Sequence, residues 1–517
     1  MNATEPLWMN VPRKDFYARH MGQGRHWDVA IIGAGITGIS CAWHLARAGV
    51  SVAVFEAHEV GSGTTGRTSS HLTEVLDTRY HQLIKVVGEE GARELAFGTR
   101  EAIEFIERVA QEQQLDCQFK RLPGFLFARN ATQAEELARE QAAATRAGVA
   151  VKWAEAGSLP FEAVSALEFP NQAQMNPRAW LLGLAQGLPA ENCQIFEDSK
   201  VSKIEDGHPC RIEFAHGSWA TADHVIEATH SPLNFLFFQT RLARYQSYAV
   251  AGPGSVKLDG LYWDLDDPYH YLRGTEVDGE QWLIVGGEDH KTGQEKHTEA
   301  ALDRIANFAR TFGVDVRRAW SSQVIRSADG VPMIGRNAAS KNVFVATGFD
   351  GNGMTSGAMA GKLLAEECLG RKSRLAHFVE ATRFKPAASF KSFVTENVDF
   401  PIYLAKDAVA GSEAKSVDEV EKGEGKIVRV GGKRAAVYRD SANKLHAVSS
   451  VCTHLGCHVH FNGAEKTWDC PCHGSRFGVD GEVIDGPAVT ALAPVDLNET
   501  PARRREREEE PRPSAPH

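Results

Sequence analysis

Short apolar runs and amphipathic stretches alternate along most of the chain. The run DVAII at 28–32 is followed by a glycine-rich turn, an apolar-periodic stretch over 39–48 and a second apolar run, SVAVF, at 51–55. Short apolar runs rich in β-branched residues are typical of buried parallel strands. This order predicts a strand, a helix and a second parallel strand, which is the β-α-β unit of an α/β fold.

Further elements follow from the same patterns. We expect a mostly helical region over 77–192, and a strand-rich region after it. The predicted helices cover 94–114, 133–147, 300–312 and 354–368, and the predicted strands fall within 194–228, 245–287 and 342–346. From residue 416 onward, short strands and turns replace this pattern, which indicates a separate small β domain.

Composition narrows the class of protein. The 517 residues carry a net charge of −10, which argues against a nucleic-acid partner. The first 27 residues lack the apolar core of a secretory leader, and no stretch approaches the ~18 apolar residues of a membrane span. We therefore expect a cytoplasmic protein with no membrane span.

The turn after the first strand has the spacing of a dinucleotide site. Gly33, Gly35 and Gly38 form G-x-G-x-x-G between a strand and a helix, and Glu56 ends the second strand. The glycines allow a tight turn, close approach of a pyrophosphate and close packing of helix on strand, while the acid suits ribose hydroxyls. The motif alone leaves FAD and NAD open.

Two later segments favour FAD. GSGTTGRT at 61–68 and TGFDGNGMTS at 347–356 resemble the flavin-contacting segments of the D-amino-acid oxidase-like oxidoreductases, a superfamily that includes glycine oxidase and sarcosine oxidase. We name them the first and the second flavin segment. The resemblance covers about 28–370 and implies FAD. Some relatives attach the flavin through a histidine after the first of these segments, which makes His71 a candidate, but Arg67 is the closer match to that position, so we favour non-covalent FAD. The cofactor-binding residues that the resemblance implies are Gly33, Ala34, Gly35, Ile36, Thr37, Gly38, Glu56, Ala57, Thr64, Thr65, Gly66, Arg67, Thr68, Val201, Ala228, Thr229, Gly348, Gly353, Met354 and Thr355.

Four of the nine cysteines are packed between Cys452 and Cys472. The pattern is C-x-H, fifteen residues, then C-x-x-H. Two thiolates and two imidazoles suit the irons of a Rieske 2Fe–2S cluster. A zinc site is the competing interpretation, because zinc takes the same ligands.

The segment resembles the Rieske domain of the quinol–cytochrome c reductase class. That resemblance implies Cys452, His454, Cys470 and His473 as iron ligands and a disulfide between Cys457 and Cys472. It also implies that Ser475 donates a hydrogen bond to a cluster sulfur. Phe477 stands where the high-potential respiratory type has a tyrosine, so we expect a lower reduction potential here.

FAD and a Rieske cluster on one chain imply an internal electron relay. We expect hydride transfer from an amine or amino-acid-like C–N substrate to FAD, followed by one-electron transfer through the cluster. The external acceptor would be of the ferredoxin, cytochrome or quinone type. The alternatives are a flavin monooxygenase with the cluster as electron inlet, and a non-catalytic redox or electron-transfer protein.

The residues that would act on the substrate are harder to assign. In amino-acid-oxidising relatives an arginine five residues before the DG aspartate binds the substrate carboxylate, but that position is Val324 here, and Arg326 lies two residues further on. An amine without a carboxylate is therefore a possible substrate. The candidate catalytic residues, with sheet packing or a turn as the competing role, are Tyr248, Tyr271, Arg273, His290 and Arg326.

The predicted fold is α/β. We expect a glutathione-reductase-like FAD-binding domain with an inserted α+β substrate domain and a small all-β Rieske domain. The expected boundaries are an N-terminal extension (1–26), the FAD-binding domain (27–76, 196–240 and 321–370), the substrate domain (77–195 and 241–320), a linker (371–415), the Rieske domain (416–498) and a disordered tail (499–517).

Overall fold

The computed structural model describes residues 4–13, 18–19, 23–155, 157–233, 238, 240–338, 340–383, 403 and 411–497. The chain divides into two compact units. The larger unit comprises Ala3–His290 and Ala301–Glu396, and the smaller comprises Met1–Asn2, Lys291–Ala300 and Asn397–His517.

The larger unit contains seven of the helices that the structure describes and eighteen of its strands. The helices are α1 (Ile36–Arg47), α2 (Tyr80–Glu112), α3 (Ala131–Arg146), α4 (Pro177–Gln186), α5 (Thr298–Thr311), α6 (Gly353–Cys368) and α7 (Arg374–Val379). The strands are β1 (Ala18–Arg19), β2 (Arg25–Ile32), β3 (Val52–Phe55), β4 (His71–Leu72), β5 (Lys120–Ala128), β6 (Lys152–Trp153), β7 (Ser165–Gln174), β8 (Cys193–Glu197), β9 (Val201–Glu205), β10 (Cys210–Phe214), β11 (Trp219–Glu227), β12 (Leu242–Pro253), β13 (Leu261–Asp264), β14 (His270–Val277), β15 (Glu280–Lys291), β16 (Arg318–Ser327), β17 (Met333–Arg336) and β18 (Val343–Thr347).

The first sheet carries the predicted β-α-β unit. Its strands run in the order β1-β8-β3-β2-β11-β10-β9, with β18 beside β11 and β17 beside β18. The central strands β8, β3, β2, β11 and β18 are parallel. The buried run VAII of β2 lies between β3 and β11, and α1 follows it directly. The turn between β2 and α1 therefore lies at the carboxyl end of the parallel strands, where nucleotides bind in such sheets.

The second sheet is mostly antiparallel and runs in the order β16-β12-β15-β14-β13-β5-β7-β4. It includes β5 and β7, which fall in the region 77–192 that we predicted to be mostly helical, so that prediction was wrong over these strands. The segment GFLFA of β5 is buried between β13 and β7. Burial by neighbouring strands overrides the weak local helical pattern there.

Other predicted elements are confirmed within a few residues. The helices expected over 133–147, 300–312 and 354–368 correspond to α3, α5 and α6. The helix expected over 94–114 is part of the longer α2, which is interrupted at Gly88, where φ is 76°. The prediction began after this kink and therefore missed the first part of α2.

The smaller unit is built of β-strands, as predicted for the C-terminal domain. It contains β19 (Gly425–Val430), β20 (Lys433–Arg439), β21 (Leu445–Ser449), β22 (His460–Asn462), β23 (Thr467–Asp469), β24 (Arg476–Phe477) and β25 (Val483–Asp485). One sheet has the order β19-β20-β21 and the other β22-β23-β24-β25. Trp468, Phe477 and Leu492 contribute to a core that also contains Cys452, Cys457 and Cys470.

Most of the predicted linker and the whole charged tail lie outside the described residues. Among the helices that are described, none combines the length and the apolar composition needed to cross a membrane. The cytoplasmic location stays a prediction.

Candidate functional site

The glycine turn after β2 has no room for side chains. Gly33 has φ +103°, and a Cβ there would lie 2.5 Å from the carbonyl oxygen of Ala228. A Cβ on Gly38 would lie 1.9 Å from the carbonyl oxygen of Gly33. The glycines thus permit the tight turn into α1, whose first turn contains no acidic residue to repel an anion at the helix N-terminus.

Glu56 and Thr65 hold the turn from two sides. The Glu56 carboxylate accepts hydrogen bonds from the amides of Ala34 at 2.8 Å and His58 at 3.0 Å. Burial raises the pKa of Glu56, and these two hydrogen bonds oppose the rise. The Thr65 hydroxyl accepts from the Ile36 amide at 3.1 Å. The predicted ribose acid and the segment 61–68 therefore meet at the glycine turn.

The other residues predicted to bind the cofactor lie around this turn or on the second flavin segment. Ile36, Thr37 and Gly38 open α1; Ala57 and Glu56 follow β3; Thr64, Thr65, Gly66 and Arg67 form a short 3₁₀ helix that Thr68 ends; Val201 begins β9; Ala228 and Thr229 follow β11; Gly348 follows β18; and Gly353, Met354 and Thr355 begin α6.

The second flavin segment is tied to residues 73–77. The Asn352 side chain accepts from the Asp77 amide at 2.8 Å and donates to the Thr73 hydroxyl at 3.1 Å. Thr355 accepts from the Thr73 amide at 3.2 Å, and Asp77 accepts from the Gly351 amide at 2.6 Å. Two segments separated by most of the larger unit's sequence thus form one wall.

One face of the second sheet carries a group of polar residues. We name Ser247, Tyr271, Asp289 and Arg326, together with Asp350 on the second flavin segment, the inner-face cluster. Ala243 and Ser247 are four residues apart on β12 and therefore share a face. Arg326 pairs with Ala243, and antiparallel partners share a face, so Arg326 lies on the face of Ser247. Arg326 binds Asp350 with 2.7 Å between Nε and Oδ2. The Ser247 side chain lies near both Tyr271 and Asp289, where it opposes the rise of their pKa values caused by burial.

A backbone irregularity in β15 brings Asp289 to this face. Tyr271 pairs with Gly286, so the two residues share a face, and strict alternation would turn Asp289 away from it. Gly287 and Glu288 have φ values of 140° and 58°, which break the alternation. A Cβ on Gly286 would lie 2.1 Å from the Tyr271 ring, so this glycine makes space for the tyrosine.

Among the candidate catalytic residues, Tyr248 and His290 lie on the opposite face. Their side chains are 3.1 Å apart, between Oη and Nε2. Ser247 and Tyr248 are neighbours in β12, as are Asp289 and His290 in β15, so each neighbour points to the other side of the sheet. The sequence candidates therefore divide into Tyr271 and Arg326 on the inner face and this pair on the outer.

Arg273 is a buried cation that binds backbone carbonyls. Its guanidinium donates to the carbonyl oxygens of Ser69 at 2.5 Å and Met175 at 3.1 Å. Burial lowers the pKa of Arg273 to about 9. Burial lowers the pKa of His71 to about 3, with a smaller contribution from the nearby Arg273 charge. His71 is therefore neutral at physiological pH. These contacts fix the chain after the first flavin segment.

In the smaller unit, two loops bring the predicted iron ligands together. The Cys452 amide donates to the Cys457 carbonyl at 2.8 Å, and the Cys470 amide donates to the Ser475 carbonyl at 2.8 Å. The side chains of Cys452 and Cys470 lie near each other and are almost fully buried. The rings of His454 and His473 have centroids 5.0 Å apart and are nearly perpendicular.

The second cysteine pair forms the predicted disulfide. The sulfur atoms of Cys457 and Cys472 are 2.05 Å apart, so the bond joins the two ligand loops. Ser475 is fully buried, lies near Cys452 and accepts a hydrogen bond from the Ala488 amide at 3.0 Å. Phe477 is also fully buried.

Comparison with known proteins decides the family. Residues 28–367 match the family described as FAD dependent oxidoreductase (DAO), and residues 412–496 match the Rieske [2Fe-2S] domain. The chain belongs to the FAD-dependent oxidoreductase family and carries a Rieske domain. It is therefore an oxidoreductase with FAD and a Rieske 2Fe–2S cluster as its cofactors.

Several relatives resemble this oxidoreductase. YhfW of Bacillus subtilis (strain 168), named as a Rieske 2Fe-2S iron-sulfur protein, is 32% identical over 91% of this chain and 94% of its own length. Gamma-glutamylputrescine oxidoreductase of Escherichia coli (strain K12) is 25% identical over 69% of this chain and 87% of its own. Glycine oxidase from Geobacillus kaustophilus shares the fold, with a TM-score of 0.58 and 19% identity over 70% of this chain and 100% of its own.

The residues at both sites fit these cofactors. A Cβ on Gly33 or Gly38 would clash with the backbone, so the glycines permit the tight strand-to-helix turn that a pyrophosphate site requires. The two thiols and two imidazoles form the donor set of a Rieske cluster, while the disulfide takes the other two cysteines out of the ligand set.

Sequence reasoning missed two parts of the oxidoreductase's sites. Asp289 and Asp350 were passed over, although the glycine pair before Glu288 was a signal of irregular backbone. Gly293 was also missed: a Cβ there would lie 2.7 Å from the carbonyl carbon of Cys470, and the side-chain amide of Gln294 donates to the Pro471 carbonyl at 3.1 Å. The segment 291–300, which the sequence assigns to the substrate domain, thus packs on a ligand loop within the smaller unit.

Proposed function

We propose that this oxidoreductase oxidises a small amine or amino-acid-like substrate and passes the electrons through its Rieske cluster to an external one-electron acceptor. FAD, when bound, accepts hydride from a carbon next to nitrogen, and the cluster carries single electrons. The observation that supports this proposal is the ion pair between Arg326 and Asp350, because it joins the polar face of the second sheet to the second flavin segment.

The chain's own residues have defined parts in this proposal. Gly33, Gly35, Gly38 and Glu56 would hold the ADP half of FAD, and the start of α6 would direct its N-terminus at the flavin ring. A helix N-terminus stabilises negative charge, which suits the reduced flavin. Tyr271 and Arg326 stay candidates for substrate contact.

The four predicted ligands would hold the cluster in the smaller unit. Cys452 and Cys470 are almost fully buried, which protects thiolate ligands from water. The disulfide and the buried Ser475 brace the two loops around them. An acceptor of the ferredoxin, cytochrome or quinone type would take the electrons.

A steady-state screen tests the proposal. The FAD- and cluster-loaded protein is mixed under argon with amines and amino acids, with ferricenium as one-electron acceptor. We expect turnover with some of these substrates, and a large loss of turnover in Cys452→Ser, which keeps FAD. No turnover, together with cluster reduction by a ferredoxin, would favour the monooxygenase alternative. Neither response would favour a non-catalytic redox protein.

A further inference from the structure

The charges of the inner-face cluster do not suit a substrate carboxylate. Arg326 is the cation there, and its guanidinium is already paired with Asp350 at 2.7 Å. Its face also packs on the Tyr245 ring, with the guanidinium carbon 5.0 Å from the ring centroid. A carboxylate that approached the remaining nitrogens of Arg326 would lie beside the Asp350 carboxylate and would face Asp289, so two negative charges would oppose its binding. Arg326 is therefore poorly suited to replace the carboxylate-binding arginine of amino-acid-oxidising relatives.

Asp289 instead offers an unused acceptor. Its Oδ1 atom is buried and has no hydrogen-bond partner within the part of the chain that the structure describes. The Ser247 hydroxyl and the Tyr271 side chain both lie near this carboxylate. A buried acceptor without a partner is unfavourable unless a ligand supplies the donor.

The surroundings of Asp289 also raise its pKa. Burial is the main cause, Asp350 and Asp77 add to it, Ser247 and Arg326 oppose it, and the pKa of Asp289 reaches about 7. A bound cation would favour the ionised carboxylate, whereas a bound anion would not.

We propose that Asp289 binds the ammonium group of the substrate, so that this oxidoreductase takes alkylamines that lack a carboxylate next to the amine. An ammonium has three N–H donors and no acceptor, which complements the free Oδ1. The aromatic rings of Tyr271 and Tyr269, whose centroids are 5.8 Å apart, would border the alkyl part. This inference rests on the proposed function, because it names the substrate class of the same site.

Asp289 also acts as a proton acceptor in the proposed reaction. The substrate ammonium gives one proton to the Asp289 carboxylate, which leaves a neutral amine with a lone pair. The α-carbon then loses a hydride, with its electron pair, to FAD as oxidant, and the substrate becomes an iminium ion. A carboxylate with a pKa near neutrality is suited to accept that proton at physiological pH.

Ligand binding tests the assignment without turnover. The FAD-loaded protein is titrated anaerobically with tert-butylammonium, which has no hydrogen on the carbon next to nitrogen and cannot give a hydride, and with butyrate, and heat and the flavin absorption band are recorded. We expect tert-butylammonium to bind and butyrate not to bind. Asp289→Asn should bind tert-butylammonium about ten- to a hundredfold more weakly, since hydrogen bonds to charged groups are of that strength. Asp223→Asn, at a surface carboxylate 41% exposed, should match the wild type.

Two further measurements keep the test decisive if Asp289→Asn folds poorly. In the wild type, the affinity for tert-butylammonium should fall as the pH drops through about 7. The groups facing Asp289 are Asp350, Asp77, Arg326, Tyr269 and Tyr271. His71, with a pKa of about 3, stays neutral over this range. Asp289→Glu, which keeps the carboxylate, should retain most of the binding.

The outcomes separate the inference from the proposed function. Butyrate binding more tightly than tert-butylammonium, or equal tert-butylammonium affinity in wild type and Asp289→Asn, would overturn the role of Asp289 even if amino acids reduce the flavin. Binding of tert-butylammonium that depends on Asp289, with no amine able to reduce the flavin, would support the site and contradict the proposed reaction.

Discussion

The two sites are assembled from very different spans of sequence. The predicted iron ligands lie on two loops close together in the chain, and buried charges beside them are paired: Arg476 contacts Asp469, Asp485 and Glu465. The flavin site joins segments from both ends of the larger unit. It contains buried carboxylates with no close cation among their described contacts, such as Glu227, which is bound by the Leu233 amide and the Asn337 side chain.

The difference shows that different interactions stabilise the cluster site and the flavin site. The short ligand loops are held by a disulfide, by paired charges and by the packing of the segment 291–300, whereas the flavin site depends on packing across the whole larger unit. Four predictions test this contrast, beginning with the largest expected effect.

The first concerns the paired charges of the smaller unit. Arg476→Met leaves Asp469 buried without its cation and should lower the free energy of unfolding of this unit by about 3–5 kcal/mol. Urea unfolding followed by the visible absorption of the cluster measures it. Arg429→Met, at an exposed position of β19, should change it little. A loss below about 1 kcal/mol in Arg476→Met would contradict the importance of the pairing.

The second concerns an isolated acid of the larger unit. Burial raises the pKa of Glu227 from 4.5 to about 7, against two opposing hydrogen bonds. The folded state therefore holds this proton more tightly than the unfolded state. The associated stability is present below pH 4.5 and is lost as the pH rises through 7, by about 3 kcal/mol.

Glu227→Gln should remove that pH dependence. Unfolding by urea, followed by flavin fluorescence between pH 5 and 8, measures it. Glu191→Gln changes an exposed acid and should keep the wild-type dependence. An identical pH profile in Glu227→Gln and wild type would show that this carboxyl is already ionised at pH 5.

The third concerns the glycine turn. In Gly38→Ala the new methyl group would meet the Gly33 carbonyl oxygen at 1.9 Å. We expect the larger unit to lose about 1–3 kcal/mol of stability, as overpacked sites do, and the purified protein to hold less FAD. The cluster content should stay unchanged. Gly411→Ala, where a Cβ would have no neighbour within 4 Å, is the control; equal FAD content in the two variants would contradict the close approach.

The fourth concerns the cluster's potential. Phe477→Tyr adds a hydroxyl donor at a fully buried position two residues after Ser475. A hydrogen bond to the reduced cluster is worth about 1 kcal/mol, which for one electron is about 40 mV upward. A redox titration monitored by electron paramagnetic resonance measures the change. An unchanged or lower potential would show that Phe477 does not tune the cluster.

The same contrast explains what the sequence could predict. Gly33, Gly38, Cys452 and Cys470 stand in short patterns whose spacing alone carries the chemistry, so those predictions needed no tertiary structure. The disulfide was expected from the resemblance to the Rieske domain of the quinol–cytochrome c reductase class, and it is confirmed. The β-α-β unit could be predicted from the sequence because both of its strands contain continuous apolar runs.

Asp289 could not be assigned in this way. Its face depends on the positive φ values of Gly287 and Glu288, and its neighbours Tyr271, Arg326 and Asp350 come from three other segments. The strands β5 and β7 were missed for a related reason, because their partners lie far away in the sequence. Local patterns carry no information on such pairings.

The most direct test of the central claim, an electron relay from an amine to the cluster, is a single anaerobic mixing experiment. The loaded protein is mixed with n-butylamine, and the flavin absorption and the resonance signal of the reduced cluster are followed together. We predict that the flavin bleaches and the cluster signal rises after it, while Cys470→Ser shows flavin bleaching alone. Flavin reduction in the wild type with no cluster signal at any time would contradict the relay.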